Sequence, residues 1–396
     1  MFSLNSKYGE VKVYAETIEN EAISQITELA NSPVGENAHI RIMPDAHAGT
    51  GCVIGTTMKI TDKVCPNLVG VDIGCGVAAA KIRGKLTEED YKILDEYCKN
   101  YVYSGMSIRS KKIENFPLET LRCYSELKNV DRLEKSLGTL GSGNHFIELD
   151  KNNLGAHFLV VHTGSRNLGK QVAEFYQNLA VKQLDLEYIN ARQKVIDECK
   201  ACNRLDLIQE KLEKLQKKPK TGLEYLTGKN FEHYIHDMKI CQEWAALNRY
   251  IIIREILNDL GWHCCWWTET IHNYIDTKAM ILRKGSVCAD LNKEFLIPLN
   301  MRDGTLICRG KGNPDWNNSA PHGAGRLMSR SKAKETIELE DFERSMKGIV
   351  SSTVCQSTID ESPFAYKDCF EIIETIKPTA DIIGIMKPVF NYKATE

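Results

Sequence analysis

The sequence predicts an α+β fold, a single large domain over residues 1–396 with mixed or antiparallel β-sheets flanked by helices and a central helical insertion at 167–260. Two observations predict this organisation. Short runs of strand-forming residues, bounded by Gly, Pro, Asn and Asp, dominate residues 1–165 and return after Gly261. Between these regions glycine nearly vanishes, and apolar residues recur at helical spacing.

The first region alternates short strands with loops, and one helix interrupts it. Thr87–Asn100 is predicted to be that helix, because Thr87 is a good N-cap and Asp90 at N3 completes an acidic variant of the capping box. The predicted strands are Val11–Tyr14, Cys52–Ile60, Leu68–Val71, Val77–Ile82 and Phe158–His162.

The middle region is predicted to contain an αα-hairpin near residues 198–222, with its turn at Lys217–Gly222, and a last helix at Glu232–Leu260. Strand patterns return after it, and a Gly-rich stretch follows at Gly310–Arg326. The predicted strands here are Trp266–Thr268, Met280–Lys284, Phe295–Pro298 and Thr305–Cys308.

Composition narrows the class of protein. With 42% hydrophobic residues and a formal charge of −2 from 51 Lys+Arg and 53 Asp+Glu, intrinsic disorder is excluded. We see neither a secretory signal nor a membrane span and expect a cytoplasmic protein that makes no membrane contact. The 14 cysteines should then stay reduced and mostly buried, with Cys264 and Cys265 in a buried strand.

Five histidines lie at Gly/Asn-rich strand ends, where small neighbours let the backbone approach a bound group closely. A single histidine in such a place is more often a buried structural residue. Five together indicate a ligand site. They are His47, His145, His162, His272 and His322.

Asp72 and Cys75 in VGVDIGCGVAA place a carboxylate and a thiol on one tight turn after an apolar run. A thiolate can bridge two metal ions, and imidazoles and carboxylates complete such sites. The alternative is that Cys75 is simply a small buried residue. We predict a binuclear metal site formed by Asp72, Cys75, His145, His162 and His272.

His322 lies in NPDWNNSAPHGAGR, apart from these ligands. A neutral imidazole there can serve as a general base or as a nucleophile toward phosphorus. The alternative is a phosphate-contacting loop with a structural histidine, and residue types alone leave both open.

Repeated Gly loops that contain Arg or Lys indicate a phosphate-bearing substrate, because their amides and charges bind phosphate oxygens. The cations are Arg166, Arg283, Lys284, Arg309, Lys311 and Arg326. A Rossmann site is rejected, because GTLGSG is followed by the β-type run NHFIEL. A lysine-nucleophile nucleotidyltransferase is rejected too, because Met301 stands where the lysine should precede Asp303-Gly304.

Taken in order, MPDAHAGTGCVIG, GVDIGCG, GSGNHFIE, HTGSRNLG, HNY, RKG and HGAGR resemble the RtcB family of RNA-splicing ligases over nearly the whole chain. The resemblance implies an enzyme that uses GTP and two Mn²⁺ ions. It would join RNA ending in a 2′,3′-cyclic phosphate or 3′-phosphate to RNA with a 5′-hydroxyl, such as tRNA halves or cleaved RNA. Archease is an activating partner to consider.

The resemblance also assigns roles. Asp72, Cys75 and His145 would hold one ion, Cys75, His162 and His272 the other, and His322 would take GMP. Lys393 would reach the guanine O6 and Glu148 its N1/N2 edge. The full set of implied nucleotide contacts is Asn144, Glu148, Asn273, Asn300, Thr305, His322, Gly323, Ala324, Gly325 and Lys393. The role of Asn248-Arg249, which ends a family-like helix segment, stays open.

Two departures distinguish this chain. Leu299-Asn300 replaces the Gly-Ser of the PGSMG loop that many members have, and Asn318–Pro321 replaces a Cys-containing run. Such differences resemble those of a bacterial paralogous branch that serves RNA repair. Three other functions stay open: an enzyme that stops at guanylylated 3′ ends of RNA or DNA, a binuclear metal phosphoesterase, and a non-catalytic RNA-end or translation-factor-associated binding protein.

Overall fold

The computed structural model describes residues 1–49, 51–215 and 220–394, and within them the strands form three sheets. The strands are β1 (Phe2–Ser6), β2 (Gly9–Val13), β3 (Arg41–His47), β4 (Ile54–Lys59), β5 (Gly76–Ile82), β6 (Phe146–Asn152), β7 (His157–Thr163), β8 (Cys264–Ile271), β9 (Asn273–Asp276), β10 (Ile281–Lys284), β11 (Ser286–Cys288), β12 (Glu294–Asn300), β13 (Gly304–Gly310), β14 (Ser319–Pro321) and β15 (Ala380–Lys393). The helices are α1 (Asn20–Asn31), α2 (Glu88–Tyr101), α3 (Val130–Lys135), α4 (Arg166–Ala201), α5 (Ile208–Lys214), α6 (Gly228–Asp259), α7 (Arg330–Thr336), α8 (Leu339–Ser345) and α9 (Cys369–Thr375). The predicted α+β class is confirmed.

The largest sheet is antiparallel and curls on itself. Its strand order is β12-β13-β15-β6-β7-β5-β8, so strands from both ends of the chain alternate in it. The two edge strands meet where the Leu296 N–H donates to the Thr270 hydroxyl at 2.9 Å. An apolar cluster inside the curl consists of Val77, Ala79, Phe146, Phe158, Val160, Leu296 and Met386.

Strand β7 lies near the middle of this sheet and serves two cores. Phe158 and Val160 face the inside of the curl, whereas Leu159 and Val161 pack in a cluster that includes Ile253 of α6. Every residue of the strand is buried. Burial on both faces explains why the sequence reads as a continuous apolar run and not as an alternating one.

The second sheet has the order β1-β2-β3-β4-β10-β9, with β2 and β3 parallel. It holds the segment just before His322. Tyr14, directly after β2, stacks on Trp316 with ring centroids 3.8 Å apart and planes 7° from parallel. Arg41 of β3 donates to the Asp315 carbonyl at 2.7 Å. The third sheet is the antiparallel pair β11–β14.

The helix predictions are largely confirmed. Helix α2 begins with the predicted capping box, in which the Thr87 N–H donates to Asp90 Oδ2 at 2.7 Å and Asp90 N–H returns a bond to the Thr87 side chain. The central region is helical as predicted, with α4 and α6 of 36 and 32 residues. Lys217–Pro219 of the predicted turn lie outside the described residues, and the insertion itself stays a prediction.

Two predictions are wrong. Leu68–Val71 is not a strand, because a 3₁₀ turn begins at Pro66. The Pro66 carbonyl accepts the N–H groups of Val69 and Gly70, so these donors are not available to a sheet. Cys264 and Cys265 are in a strand but exposed, because β8 is an edge strand. Most of the other cysteines are buried as predicted, although Cys202 is exposed where α4 ends.

No helix formed by the described residues has the length and apolar character needed to cross a bilayer.

Candidate metal and nucleotide site

A cavity of about 910 Å³ opens between the curled sheet and the loop that follows β14. It gathers most of the predicted site residues from seven separate parts of the sequence. Those that line it are Asp72, Cys75, Asn144, Glu148, His162, His272, Asn273, Asn300, His322, Gly323, Ala324, Gly325 and Lys393.

The five predicted metal ligands form one cluster. Its donor atoms fall into two groups, Cys75–His162–His272 and Asp72–Cys75–His145, with all atoms of a group within 4.8 Å of one another. Cys75 belongs to both groups. Its Sγ lies 3.3 Å from His162 Nε2 and 3.7 Å from His145 Nε2. Two ligands of one tetrahedral ion lie ~3.4 Å apart, so the spacing fits shared ions.

Sheet register explains why these residues meet. Strand β5 lies between β7 and β8, and Val77 is opposite His162. At the end of β8, the His272 N–H donates to the Cys75 carbonyl at 2.9 Å. Adjacent strands therefore present their ligands at one edge, although the residues are far apart in sequence.

Glycine is required beside Asp72. A Cβ on Gly164 would lie 2.0 Å from Asp72 Oδ1, so any side chain there would displace the carboxylate. The next residue fixes the same oxygen, because the Ser165 N–H donates to Asp72 Oδ1 at 3.1 Å. The other oxygen, Oδ2, faces His145 Nε2 at 3.1 Å.

Electrostatics suit a site that takes up cations. Burial lowers the pKa of His162 and His272 well below the usual value, so both imidazoles are neutral and can offer a lone pair. Burial also raises the pKa of the Cys75 thiol well above its usual value. For Asp72 burial opposes ionisation, but the hydrogen bond and charge of His145 outweigh it and lower the pKa to about 2. A divalent ion would displace the thiol proton.

His322 is oriented by a residue that the sequence analysis missed. Its Nδ1 lies 2.6 Å from Asp45 Oδ2, and the same oxygen accepts the backbone N–H groups of His322 and Gly323. Asp45 is fully buried in β3. This bond assigns the proton to Nδ1 and leaves the Nε2 lone pair facing the cavity. The ring centroids of His322 and His272 are 4.8 Å apart. Asp45 stands in the string MPDAHAGTG together with His47, which also lines the cavity.

The far wall of the cavity pairs an acceptor with a donor. Glu148 on β6 lies opposite Asn391 on β15, whose amide donates to its carboxylate. Lys393 points to the same wall, with its ammonium 4.8 Å from the Phe146 ring centroid. Burial raises the pKa of Glu148 to about 7, although Lys393 and Asn391 act in the opposite direction.

Some predicted residues are placed differently. Thr305 is fully buried and is not among the residues that line the cavity. Asn300 lines it, but its Oδ1 accepts the N–H groups of Arg302 and Asp303, so the side chain is held in its own turn.

The six predicted phosphate-binding cations divide into two sets. Arg326 lines this cavity, and Arg166 lines a second one on the other side of the ligand cluster. The other four are engaged elsewhere in the protein: Arg283 and Lys284 are buried in structural contacts, and Arg309 and Lys311 pair with Glu294 and Asp381.

The second cavity has a volume of about 500 Å³, and Asp72 and Asn144 line both cavities. His145 and four cationic residues line this second cavity. The cations are Lys128, Arg132, Arg166 and Lys170. We call it the basic cavity.

The Asn248-Arg249 pair, whose role the sequence left open, is buried in α6 and ties down the ligand loops. Asn248 Oδ1 accepts the N–H groups of Gly138 and Thr139 at 2.7 and 3.1 Å. Arg249 Nη1 donates to the carbonyls of Gly74 and Thr163 at 2.9 and 2.7 Å. Gly74 and Thr163 are the neighbours of Cys75 and His162 in the chain, so α6 fixes the backbone beside these two candidate ligands.

Comparison with known proteins agrees with this arrangement. A family model described as "tRNA-splicing ligase RtcB" matches residues 25–122 and 116–394. The chain is 28% identical over 430 residues to "RNA-splicing ligase RtcB" of Escherichia coli (strain K12), with 98% of each chain covered. It is 27% identical over 457 residues to "tRNA-splicing ligase RtcB" of Archaeoglobus fulgidus, covering 91% of this chain and 88% of that one.

Asn248→Ala should destabilise the protein, because it leaves two buried N–H groups without an acceptor. We expect the free energy of unfolding, measured by chemical denaturation, to fall by about 3 kcal/mol. Asn258→Ala, an exposed position of the same helix, is the control and should change it by less than ~0.5 kcal/mol. Equal stability of the two variants would contradict the anchoring role.

Proposed function

Since the chain belongs to the RtcB family of RNA-splicing ligases, we propose that this RNA ligase joins 2′,3′-cyclic phosphate or 3′-phosphate ends to 5′-hydroxyl ends through a histidine–GMP intermediate. The observation that supports this best is the placement of His322. Its free nitrogen shares a cavity with the candidate metal ligands and with the Glu148–Lys393 wall. The alternatives, guanylylation without ligation and phosphoester hydrolysis, are distinguished by the products.

The first step uses His322 as nucleophile. Its neutral Nε2 attacks the α-phosphorus of GTP, a P–N bond forms, the bond to the bridging oxygen breaks and pyrophosphate leaves. Asp45 Oδ2 accepts a hydrogen bond from Nδ1 at 2.6 Å, which holds the ring in place and stabilises the positive charge that develops on it.

The donor set fits two divalent ions such as Mn²⁺. It combines a thiol, three imidazoles and a carboxylate, and His162 Nε2 faces both Cys75 Sγ at 3.3 Å and His272 Nε2 at 3.4 Å. Cys75 would be shared by both ions. When bound, the ions would offset the negative charge of the phosphates and orient them.

The Glu148–Lys393 wall fits the edge of guanine. The N1–H and N2–H₂ groups of guanine are donors, which an ionised Glu148 can accept, and its O6 is an acceptor, which Lys393 can meet. Adenine presents an amino group where guanine has O6, so the lysine would face a donor.

RNA would approach through the basic cavity, whose four cations can contact backbone phosphates. A 2′,3′-cyclic phosphate end would first take up one water molecule, which breaks the bond from phosphorus to the 2′-oxygen and leaves a 3′-phosphate. GMP would then pass from His322 Nε2 to an oxygen of this 3′-phosphate, as the P–N bond breaks. The 5′-hydroxyl then attacks that phosphate, GMP leaves, and a phosphodiester is formed.

The proposal includes a single catalytic domain with a helical insertion at 167–260. It also includes archease as a candidate activator. Efficient ligation by the purified chain alone would show that this activator is not needed.

The histidine assignment is tested by incubation with Mn²⁺ and α-labelled GTP. The wild type should form an acid-labile, alkali-stable adduct, His322→Ala should form none, and Asp45→Asn should form it at least about tenfold more slowly. His263→Ala, an exposed histidine, is the control and should label like the wild type. Normal labelling of His322→Ala would refute the nucleophile, and RNA products then separate ligation from guanylylation.

Cys75→Ala should remove both ions, because both ligand groups contain its sulfur. His145→Ala and His272→Ala should each remove one. Metal content after gel filtration, measured by mass spectrometry, checks this independently of activity, with the exposed Cys265→Ala as control. Two ions retained by Cys75→Ala would contradict the shared ligand.

Guanine binding should weaken as the pH falls through about 7, the pKa to which burial raises Glu148, because the protonated carboxyl cannot accept both guanine donors. The KM for GTP in adduct formation should therefore rise on the acid side of this value and level off on the alkaline side. Glu148→Gln should show a high KM without this dependence. A pH-independent KM in the wild type would argue against this carboxylate as the base contact.

A further inference from the structure

We propose that Glu361 is a positioning residue that aims the Lys393 ammonium at position 6 of the base and so sets the selection of guanine; this rests on the proposed function. Glu361 does not line the cavity itself. It lies at the end of a 3₁₀ turn, Gln356–Glu361, and is only 2% exposed. It acts on the base through Lys393.

Lys393 has three N–H donors, and two have protein acceptors. Its Nζ lies 3.1 Å from Glu361 Oε2 and 3.4 Å from the Asn144 carbonyl. The residue is 4% exposed and lines the cavity together with Glu148 and Phe146. The two bonds fix the ammonium, and among the described residues no acceptor is found for the third donor, which can meet a ligand.

Glu361 is the anion that balances several donors. Its Oε2 also accepts the Tyr366 hydroxyl at 2.7 Å, and its Oε1 lies 2.9 Å from Arg330 Nη1 and 3.4 Å from Arg326 Nη1. Burial opposes its ionisation, but Lys393, Arg330 and Arg326 outweigh this and lower its pKa to about 2. Without this charge, Lys393 would lose its counter-ion and be repelled by two guanidinium groups.

The neighbouring acid provides a contrast. Asp360 is as buried as Glu361, at 3% exposure, but its carboxylate pairs with Arg330 and Lys334. No contact between Asp360 and Lys393 is found among the described residues. Glu361 therefore contacts Lys393, whereas the Asp360 carboxylate pairs only with the neighbouring cations Arg330 and Lys334 among the described residues.

The position of the ammonium matters because guanine and adenine differ at position 6. Guanine has a carbonyl oxygen there, which accepts a hydrogen bond, and adenine has an amino group, which donates one. A donor fixed there favours a carbonyl and disfavours an amino group. An ammonium has no acceptor and cannot bond the amino group. A lysine with a free side chain could swing away from that group, because its stem has four rotatable bonds, and the penalty against adenine would be lost. Removing the Glu361 charge should therefore weaken base selection more than it weakens phosphate binding.

The test compares GTP with 6-thio-GTP, which changes only the atom at position 6, in the adduct assay with Mn²⁺. The wild type should prefer GTP by about tenfold. Glu361→Gln should bring this ratio close to one, and Asp360→Asn should keep it. Inosine triphosphate, which keeps O6 and lacks the N2 amine, controls for the Glu148 side: its ratio to GTP should be unchanged in Glu361→Gln.

A cycle with Lys393→Met distinguishes positioning from a general structural role. If Glu361 acts through the lysine, the double variant has the same ratio as Lys393→Met alone. A further loss in the double variant, a wild-type ratio in Glu361→Gln, or an equal loss in Asp360→Asn would each overturn the inference.

If a thermal melt shows that Glu361→Gln is not folded, Glu361→Asp is used instead. Its side chain is one methylene shorter, so its carboxylate lies farther from the Lys393 ammonium. A lowered GTP ratio then supports the inference and a wild-type ratio overturns it. Failure of the proposed function has a different signature, since the wild type would then form no adduct with GTP, which would overturn the inference as well.

Discussion

Two polar side chains buried in α6 hold together the segments that meet at the site. Asn248 bonds to the loop before His145 and to the Gly164 carbonyl, and Arg249 bonds to the carbonyls of Gly74 and Thr163. Arg249 also donates to Glu269 of β8, the strand that leads to His272. Each such hydrogen bond stabilises the fold by only about 1 kcal/mol, but leaving its buried partner unsatisfied costs more. Helix α6 therefore fixes the ligand geometry by making any other loop arrangement unfavourable.

The curled sheet adds a second constraint. Small residues, Val77 to Ala80, occupy most of β5, the strand between β7 and β8, and Gly76 at its start approaches β8 so closely that a Cβ would lie 2.4 Å from the Thr270 carbonyl. This close packing brings Cys75 to the ends of both neighbouring strands. A rigid scaffold thus presents a thiol to two sets of ligands at once, which suits a site that must bind without rearranging.

Charge is distributed locally and not over the whole chain. A formal charge of −2 gives no indication of a polyanionic partner. The structure gathers Lys128, Arg132, Arg166 and Lys170 on one side of the metal-ligand cluster. On the other side, Arg326, Arg330 and Lys393 surround Glu361. Local charge of this kind acts at short range, where salt screens it least, and it is compatible with a neutral overall balance.

The sequence by itself determined the α+β class and the capping box of α2, and it picked out the residue types of the candidate metal cluster, because these depend on local pattern and residue type. It did not assign a role to Asp45 or Glu361. Asp45 stands in MPDAHAGTG, but its partner His322 is 277 residues away, and Glu361 stands in no recognised string. Arg283 and Lys284 were misread for a related reason: their Gly loop resembles a phosphate site, yet burial commits them to the protein's own carbonyls and hydroxyls. Residue types set which contacts are possible. Tertiary structure decided which of them form, because sheet register and helix packing choose each side chain's partner from distant parts of the chain.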